Sequence, residues 1–157
     1  MKLNSKLDEL SIIIPIFNEG RNIEKLWSGI KKNVKLKKLE IIYVDDNSKD
    51  NSFDILKKIN KKDKKVRFLI RKNKQKDLSK SCVLGFNNSK YSNILVMDGD
   101  LQHDPKYLPK MIKLYRKGKF DFIIGVRDLI NVRVRSLSLF RQSASFLLIK
   151  VFDIFLG

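Results

Sequence analysis

The sequence alternates short apolar runs with longer amphipathic segments, and this alternation constrains its fold more than any other feature. Five runs rich in apolar and β-branched residues predict strands, at residues 10–17, 40–46, 66–71, 93–98 and 121–126. Because these runs are almost continuously apolar rather than alternating, they predict a sheet that is covered on both faces. We therefore expect an α/β domain with a mostly parallel, doubly wound sheet.

The segments between the runs carry the spacing of amphipathic helices. After the first run, four apolar residues fall on one helical stripe: Ile23, Leu26, Trp27 and Ile30. In a doubly wound sheet, ligands bind beyond the carboxyl ends of the strands, near a change in strand order. Polar clusters follow four of the predicted strands, so we expect them to converge on one rim. The clusters are PIFNEG, DDNSKD, DGDLQ and GVRD.

The cluster DGDLQ ends the fourth apolar run with two nearby carboxylates, Asp98 and Asp100. A divalent cation would remove their repulsion, and Mg²⁺ or Mn²⁺ usually takes one or two protein carboxylates together with phosphate oxygens. The amide oxygen of Gln102 is another hard donor nearby. Alternatively, Asp-Gly-Asp is only a turn, in which Gly99 gives a permissive backbone and the aspartates cap the next helix. We interpret His103 as a solvated rim residue, because an oxygen-rich site suits a hard cation.

Two further clusters carry side chains that suit a nucleotide. A carboxylate of Asp45 or Asp46 could accept from a nucleobase or a ribose, or could simply cap the following helix. Pro15 ends the hydrogen bonding of the first strand, Phe17 could lie against a base or pack in the core, and Glu19 could reach the polar edge of a base. The sequence contains neither G-x-G-x-x-G nor the P-loop motif, so it does not support a Rossmann dinucleotide site or a P-loop.

The chain is strongly basic, with 34 Lys and Arg against 17 Asp and Glu and a formal net charge of +17. Such a charge attracts polyanions, but we interpret the scattered lysines as solvated helix faces. No motif for reading nucleic acid is present, so we expect no nucleic-acid partner. The single cysteine, Cys82, is interpreted as an inert core residue. It cannot form an internal disulfide, and the N-terminus has no apolar signal stretch, so we expect a cytoplasmic protein.

The last segment of the chain differs from the rest. Its apolar run, residues 146–156, is interrupted by Lys150 and Asp153 and falls short of the ~20 residues that a transmembrane helix needs. It is compatible with a core helix or with an amphipathic helix that lies in a membrane interface.

Taken in order, four segments resemble the successive motifs of family-2 glycosyltransferases, and especially the dolichol-phosphate mannosyltransferases and other polyprenyl-phosphate glycosyltransferases. The segments are LSIIIPIFNEGRNIEKL, EIIYVDDNSKDNS, ILVMDGDLQHDPKYLPKMI and DFIIGVR. The resemblance implies a GT-A type nucleotide-sugar-binding domain over residues 1–136, followed by an amphipathic or interfacial helix over residues 137–157. The chain would then stop before the acceptor-binding region that is usual in the family.

The resemblance also implies roles for the residues of DGDLQ. Asp100 and Gln102 would bind the metal ion, Mg²⁺ or Mn²⁺, whereas Asp98 and the Gly99 backbone would line the ribose and the sugar.

For the base, Pro15, Phe17 and Glu19 match the family's P-x-Y-N-E contacts, with Phe in place of the commoner Tyr. Val44 and Asp46 would meet the base from the second strand, with Asp45 beside them. The chain departs from the family at Asp77, in a loop where relatives usually carry glycines, which predicts a different loop shape.

The implied reaction moves a hexose, mannose or glucose, from a GDP- or UDP-sugar to a polyprenyl (dolichyl or undecaprenyl) phosphate, with inversion at the anomeric carbon. Arg127 and Arg141 match two arginines of the family that contact phosphate, and with Asp98 and Asp100 they form the implied catalytic set. Because a phosphate acceptor is already an anion, no strong general base is required.

The implied partners include a membrane surface, with the enzyme peripheral on its cytoplasmic face. Two alternatives stay open. One is a non-catalytic, truncated nucleotide-sugar-binding module, and the other is a family-2 transferase with a glycan acceptor in cell-wall or surface polysaccharide synthesis.

Overall fold

The protein is described by a computed structural model that covers residues 7–72, 75–118 and 120–125. Strands and helices alternate along these residues. In chain order they are β1 (Glu9–Ile16), α1 (Gly20–Asn33), β2 (Lys38–Asp45), α2 (Ser52–Lys62), β3 (Val66–Ile70), α3 (Leu78–Asn87), β4 (Ile94–Val96) and α4 (Leu108–Tyr115). A short 3₁₀ turn, Pro105–Tyr107, immediately precedes α4.

The four strands form one parallel sheet with the order β3-β2-β1-β4. β1 pairs with β2 from Glu9, opposite Lys38, to Ile16, opposite Asp45, and it pairs with β4 over three residues. The chain moves outward from β1 through β2 to β3 and then returns to the other side of β1 with β4. This confirms the predicted fold class and places the reversal of strand order between β1 and β4, where such sheets bind ligands.

The two faces of the sheet have separate apolar clusters. Ile12 belongs to the larger cluster together with Ile23 of α1, whereas the next residue, Ile13, packs on the other face with Leu84 of α3. Gly85 lets α3 lie directly on that face, because a Cβ at this position would come within 2.5 Å of Ile13 Cγ2. Both faces of the central strands are therefore buried, as the continuous apolar runs predicted. Cys82 lies on α3 and is only partly buried, so it is not the core residue that we expected.

The prediction of a strand at residues 121–126 is wrong for the described part, residues 121–125, which form no strand. Phe122 and Ile124 are mostly exposed there. A strand needs a neighbour for its backbone hydrogen bonds, and none of the described strands pairs with this segment. The compact unit formed by the elements above ends at Ile123. The helix expected at residues 137–157 lies outside the described residues.

Candidate active site

The loops that follow β1 and β2 are joined to each other. The backbone N–H of Asn18 donates to Ser48 Oγ (2.8 Å), and Asn18 Oδ1 accepts from the N–H of Lys49 (2.8 Å). Asn18 and Asn47 both have positive φ angles, 58° and 64°, which Asn adopts more readily than most residues. These turns lead the chain into α1 and α2. The carboxyl ends of β1 and β2 therefore form one connected rim.

Asp45 and Asp50 hold this rim together. Asp45 accepts from the N–H and the hydroxyl of Ser48, at 2.9 and 2.5 Å. Asp50 accepts from the N–H of Gly20 and from the N–H and hydroxyl of Ser52, so it joins the first residues of α1 and α2. Burial opposes ionisation of Asp50, but these hydrogen bonds outweigh it and lower its pKa. Both carboxylates serve to fix the loops.

Asp46 is buried, and both of its carboxylate oxygens are engaged. Oδ1 accepts from Arg71 Nη1 at 2.5 Å, and Oδ2 accepts from the N–H of Asp77 at 2.6 Å. Arg71, the residue after β3, is also buried and donates to the carbonyl of Asp77 (2.9 Å) and to the hydroxyl of Ser81 (3.2 Å). Arg71 was not predicted from the sequence as a site residue. The available signal was an arginine directly after an apolar run that predicts a strand, with a second arginine, Arg67, within that run.

The DGD segment follows β4 and has a different environment. The Asp98 side chain is 51% exposed, and Asp98 Oδ2 lies 3.4 Å from His103 Nε2. Asp100 accepts from the N–H of Gln102 (2.9 Å), and Leu101 between them has a positive φ of 63°. The carboxylates therefore stand on a tightly turned loop at the ligand side of the sheet, with Asp98 exposed and Asp100 partly exposed.

Gly99 brings this loop against the end of β1. A Cβ at Gly99 would come within 2.6 Å of Ile16 Cγ2 and 3.4 Å of the carbonyl oxygen of Pro15. Only glycine fits at such a separation without displacing its neighbours. The contact draws the carboxylates of the β4 loop close to the residues that follow β1.

The residues after β1 form the adjoining part of the rim. Pro15 and Val44 are buried partners in the register of β1 and β2. The two strands pair as far as Ile16, whose carbonyl accepts from the N–H of Asp46, so the prediction that Pro15 ends the hydrogen bonding of the first strand is wrong. Phe17 is partly exposed, and Lys76 Nζ lies 4.3 Å from the centre of its ring. Glu19 accepts from Asn22 Nδ2 (2.6 Å), which holds its carboxylate at the start of α1.

A cavity of about 550 Å³ opens beside this rim, which is in the range of small-molecule sites. Its lining comes from the β1 and β2 loops and the start of α1: Asn18, Glu19, Arg21, Asn22, Lys49 and Asp50. The lining carries both charges, so it offers donors and acceptors to a polar ligand.

The donor set at DGDLQ fits a hard divalent cation that also takes ligands from a substrate. Asp98 supplies an exposed carboxylate, Asp100 a partly exposed one and Gln102 an amide oxygen. Within residues 7–72, 75–118 and 120–125, no group of three or more His, Cys, Asp or Glu side chains is arranged to hold a metal. A cation there would take its remaining ligands from phosphate or water, as Mg²⁺ and Mn²⁺ commonly do. Burial and, to a lesser extent, the Asp98 carboxylate raise the pKa of the Cys82 thiol.

Most of the residues singled out in the sequence follow the carboxyl ends of three neighbouring strands. After or within β1 and β2 lie Pro15, Phe17, Glu19, Val44 and Asp46, and after β4 lie Asp98, Gly99, Asp100 and Gln102. Arg127 and Arg141 lie outside the described residues. The functional roles assigned to all of these residues stay predictions.

Comparison with known proteins gives a consistent result. The family model described as "Glycosyl transferase family 2" matches residues 11–153. A dolichol-phosphate mannosyltransferase of Pyrococcus furiosus is 35% identical over 138 residues, which are 87% of this chain and 38% of the relative. Another from Mycosarcoma maydis is 31% identical over 134 residues, 82% of this chain and 45% of the relative. The chain thus spans less than half the length of these relatives.

Two solved structures have the same fold. Residues 1–349 of Staphylococcus aureus TarS give a TM-score of 0.59 with 21% identity, over 68% of this chain and 32% of TarS. The mannosyltransferase PcManGT from Pyrobaculum calidifontis, in complex with GDP-Man and Mn²⁺, gives a TM-score of 0.57 with 18% identity. That match covers 67% of this chain and 31% of PcManGT.

Proposed function

Because the chain belongs to glycosyltransferase family 2 and has its GT-A fold, we propose that it transfers a hexose from a nucleoside diphosphate sugar to a polyprenyl phosphate. The donor is a GDP- or UDP-sugar, and the anomeric carbon is inverted. The rim at the carboxyl ends of β1, β2 and β4 is the donor site.

One observation carries this proposal. The accessible carboxylates of the β4 loop lie at the switch point of the sheet, and Gly99 packs that loop against the end of β1. Two carboxylates in such a position repel each other, and a bound cation with its diphosphate removes the repulsion. Asp98 is exposed, unlike the buried Asp45, and Asp100 is partly exposed, so both can be reached by a ligand.

In this proposal each part of the rim has a task. Asp100 and Gln102 hold Mg²⁺ or Mn²⁺, which when bound stabilises negative charge on the departing diphosphate. Asp98 and the Gly99 backbone line the ribose and the sugar. Phe17 lies against the base, and Glu19 accepts from its polar edge.

Phosphate contacts complete the proposed donor site. We assign Arg127 and Arg141 to the diphosphate, since guanidinium groups bind phosphate with two parallel hydrogen bonds. The acceptor phosphate attacks as an anion, so the site requires no strong general base.

The acceptor and the membrane are the second part of the proposal. The named relatives are dolichol-phosphate mannosyltransferases, which supports a polyprenyl phosphate acceptor. Among the described residues, no helix is long and apolar enough to span a bilayer. We propose peripheral association with the cytoplasmic face of a membrane, to which exposed lysines would contribute about 1 kcal/mol each when close to anionic lipid.

Donor binding is the first test. Calorimetric titration of the purified chain with GDP and UDP, with and without Mn²⁺, should show binding of one of the two that requires the metal. Binding should be lost in the Asp100→Ala variant. Equal affinity with and without Mn²⁺, or in the variant, would contradict the proposed site.

Transfer is the second test. Incubation with GDP-mannose or UDP-glucose, Mn²⁺ and a short polyprenyl phosphate should give a glycolipid. Donor binding without any glycolipid would instead favour a non-catalytic nucleotide-sugar-binding module, and product only with a glycan acceptor would favour the polysaccharide alternative.

A further inference from the structure

Arg71 is a buried cation that links β3 to the start of α3. Its Nη1 group donates to Asp46, to the carbonyl of Asp77 and to the hydroxyl of Ser81. Its backbone N–H donates to the carbonyl of Asp45 (2.9 Å). One side chain therefore touches the end of β2, the loop between β3 and α3, and the first turn of α3.

The loop that contains these contacts is fixed from two directions. Asp46 Oδ2 accepts from the N–H of Asp77 (2.6 Å), so the same carboxylate that pairs with Arg71 also holds the last residue of the loop. Asp77 in turn accepts from the N–H of Lys80 and so caps α3. The pair Asp46–Arg71 and the cap together determine where residues 75–77 lie.

One of residues 75–77 contacts Phe17, the residue that we propose lies against the base. Arg71 Nη2 also donates to the carbonyl of Gln75 (3.5 Å), so Lys76 lies between two anchored residues. The Lys76 ammonium is 4.3 Å from the centre of the Phe17 ring. Phe17 follows β1, whereas Lys76 follows β3, so the loop crosses the end of β2 to reach it. The buried pair thus fixes a segment that borders the Phe17 side of the rim.

Stability alone is a weak reason for such a pair. Burying two charges costs free energy that their attraction only partly offsets, and well-packed apolar residues often do as well. A buried pair is better justified when it determines the position of something else. Here the position that it determines is that of Lys76 beside Phe17.

We propose that Arg71 is a positioning residue for the donor nucleotide: paired with Asp46, it holds residues 75–77 against Phe17 as one wall of the nucleotide site. This inference rests on the proposed function. In it Asp46 contributes through Arg71 and the loop, because one of its carboxylate oxygens accepts from Arg71 and the other from the N–H of Asp77. Lys76 presents a positive charge to the anionic nucleotide.

Strand β3 offers a control, a second arginine that pairs with a buried carboxylate but is itself more exposed than Arg71. Arg67, four residues before Arg71, donates to the buried Glu40 at 2.9 Å. Glu40 also accepts from the hydroxyl of Ser11 (2.6 Å) and from the backbone N–H of Lys90. Glu40 is opposite Ser11, whereas Asp45 is opposite Ile16, so the control pair lies about five residues, roughly 16 Å, from the rim.

The experiment compares Arg71→Lys with Arg67→Lys. Each variant keeps the charge but removes the guanidinium, and each should lower the thermal midpoint. Affinity for GDP and UDP with Mn²⁺ is then measured at a temperature where circular dichroism shows every variant to be folded. Arg71→Lys should lower the affinity for the nucleotide at least about tenfold, since small displacements of binding groups have effects of this size. Arg67→Lys should stay within about twofold of the parent chain.

Lys76→Met is the second variant and avoids the core, because Lys76 is exposed. It should leave the thermal midpoint unchanged and weaken nucleotide binding about threefold or more, as expected for the loss of one exposed charge contact. If Lys76→Met binds like the parent chain, or if Arg71→Lys and Arg67→Lys lose affinity equally, the loop is no wall of the site and the inference is wrong. If the parent chain binds neither nucleotide, the proposed function itself fails, and this inference fails with it.

Discussion

The aspartate pairs at the carboxyl ends of β2 and β4 look similar in the sequence but have different environments in the fold. Asp45 and Asp46 are 2% and 5% exposed and accept hydrogen bonds from the protein's own N–H, hydroxyl and guanidinium groups. The Asp98 side chain is 51% exposed and faces His103. The first pair organises the rim, and the second is accessible to a ligand.

Position in the sheet explains the difference. β2 is central, between β1 and β3, and α3 packs across β1 and β2. A carboxylate at the end of such a strand is covered by neighbouring loops and must find partners there. β4 has only three residues and is the edge strand beside β1. The loop that follows β4 is open to solvent. The environment therefore decides which acidic pair is structural.

The largest expected effect is on stability, at the β2 pair. Asp46→Asn leaves the buried Arg71 without its counter-charge and should lower the free energy of unfolding by about 3 kcal/mol. Urea denaturation measures this. Asp98→Asn, the matched change at the exposed pair, should stay within about 0.5 kcal/mol. Equal losses in the two variants would remove the distinction between the pairs.

For activity, we expect the larger effect at the pair that follows β4. Asp100→Asn should reduce Mn²⁺-dependent transfer about 100-fold while the free energy of unfolding changes little, because in the proposed site this partly exposed side chain would hold the metal ion. Initial rates at saturating donor measure it. The control is Asp104→Asn, which neutralises an exposed carboxylate four residues later. That carboxylate bonds to the N–H and ammonium of Lys106, and its loss should leave the rate nearly unchanged.

Gly99→Ala tests the contact with Ile16 that holds the loop of Asp98 and Asp100 against β1. The new methyl group would meet Ile16 Cγ2 at 2.6 Å, and relieving this overlap should cost about 1–3 kcal/mol and displace the β4 loop. Gly85→Ala is the control, with a similar overlap against Ile13 at 2.5 Å on the sheet face under α3. Both variants should lose stability, but only Gly99→Ala should also lose nucleotide affinity. Unchanged affinity in Gly99→Ala would separate the β4 loop from the donor site.

The smallest effect concerns the pH dependence of the β2 loop. The pKa of Asp50 is lowered from its ordinary value of 3.8, so its charged form stabilises the fold above that value, and the contribution is lost as pH falls through the lower folded-state pKa. The parent chain should therefore lose more stability below about pH 4 than Asp50→Asn does. Urea midpoints at several acid pH values measure the difference. Parallel curves for the two proteins would show that the Asp50 charge contributes nothing.

The sequence predicts the strands and helices well, but it does not show which of the two aspartate pairs is buried. The strands β1 to β4 follow from local apolar runs, and their parallel arrangement follows from the helices between them. For Asp46 the sequence left a cap and a ligand contact equally open. Its actual partner, Arg71, is 25 residues away in sequence, and its burial depends on how α3 packs.

The incorrect strand has a similar cause. Residues 121–125 have strand-like composition, but a strand also requires a pairing partner, which local composition does not reveal. By contrast, the position of DGD at the rim followed from chain order alone. Carboxyl ends of parallel strands lie at one edge whatever the details of packing.

The strand order has a consequence for the nascent chain. β1 pairs with β2 across 29 positions, Glu9 with Lys38, but with β4 across 83, Ser11 with Ile94. Closing the longer loop costs more chain entropy, and β4 leaves the ribosome last of the four strands. The part of the fold that contains Asp46 and Arg71 can therefore assemble during translation, before the acidic loop after β4 has left the ribosome.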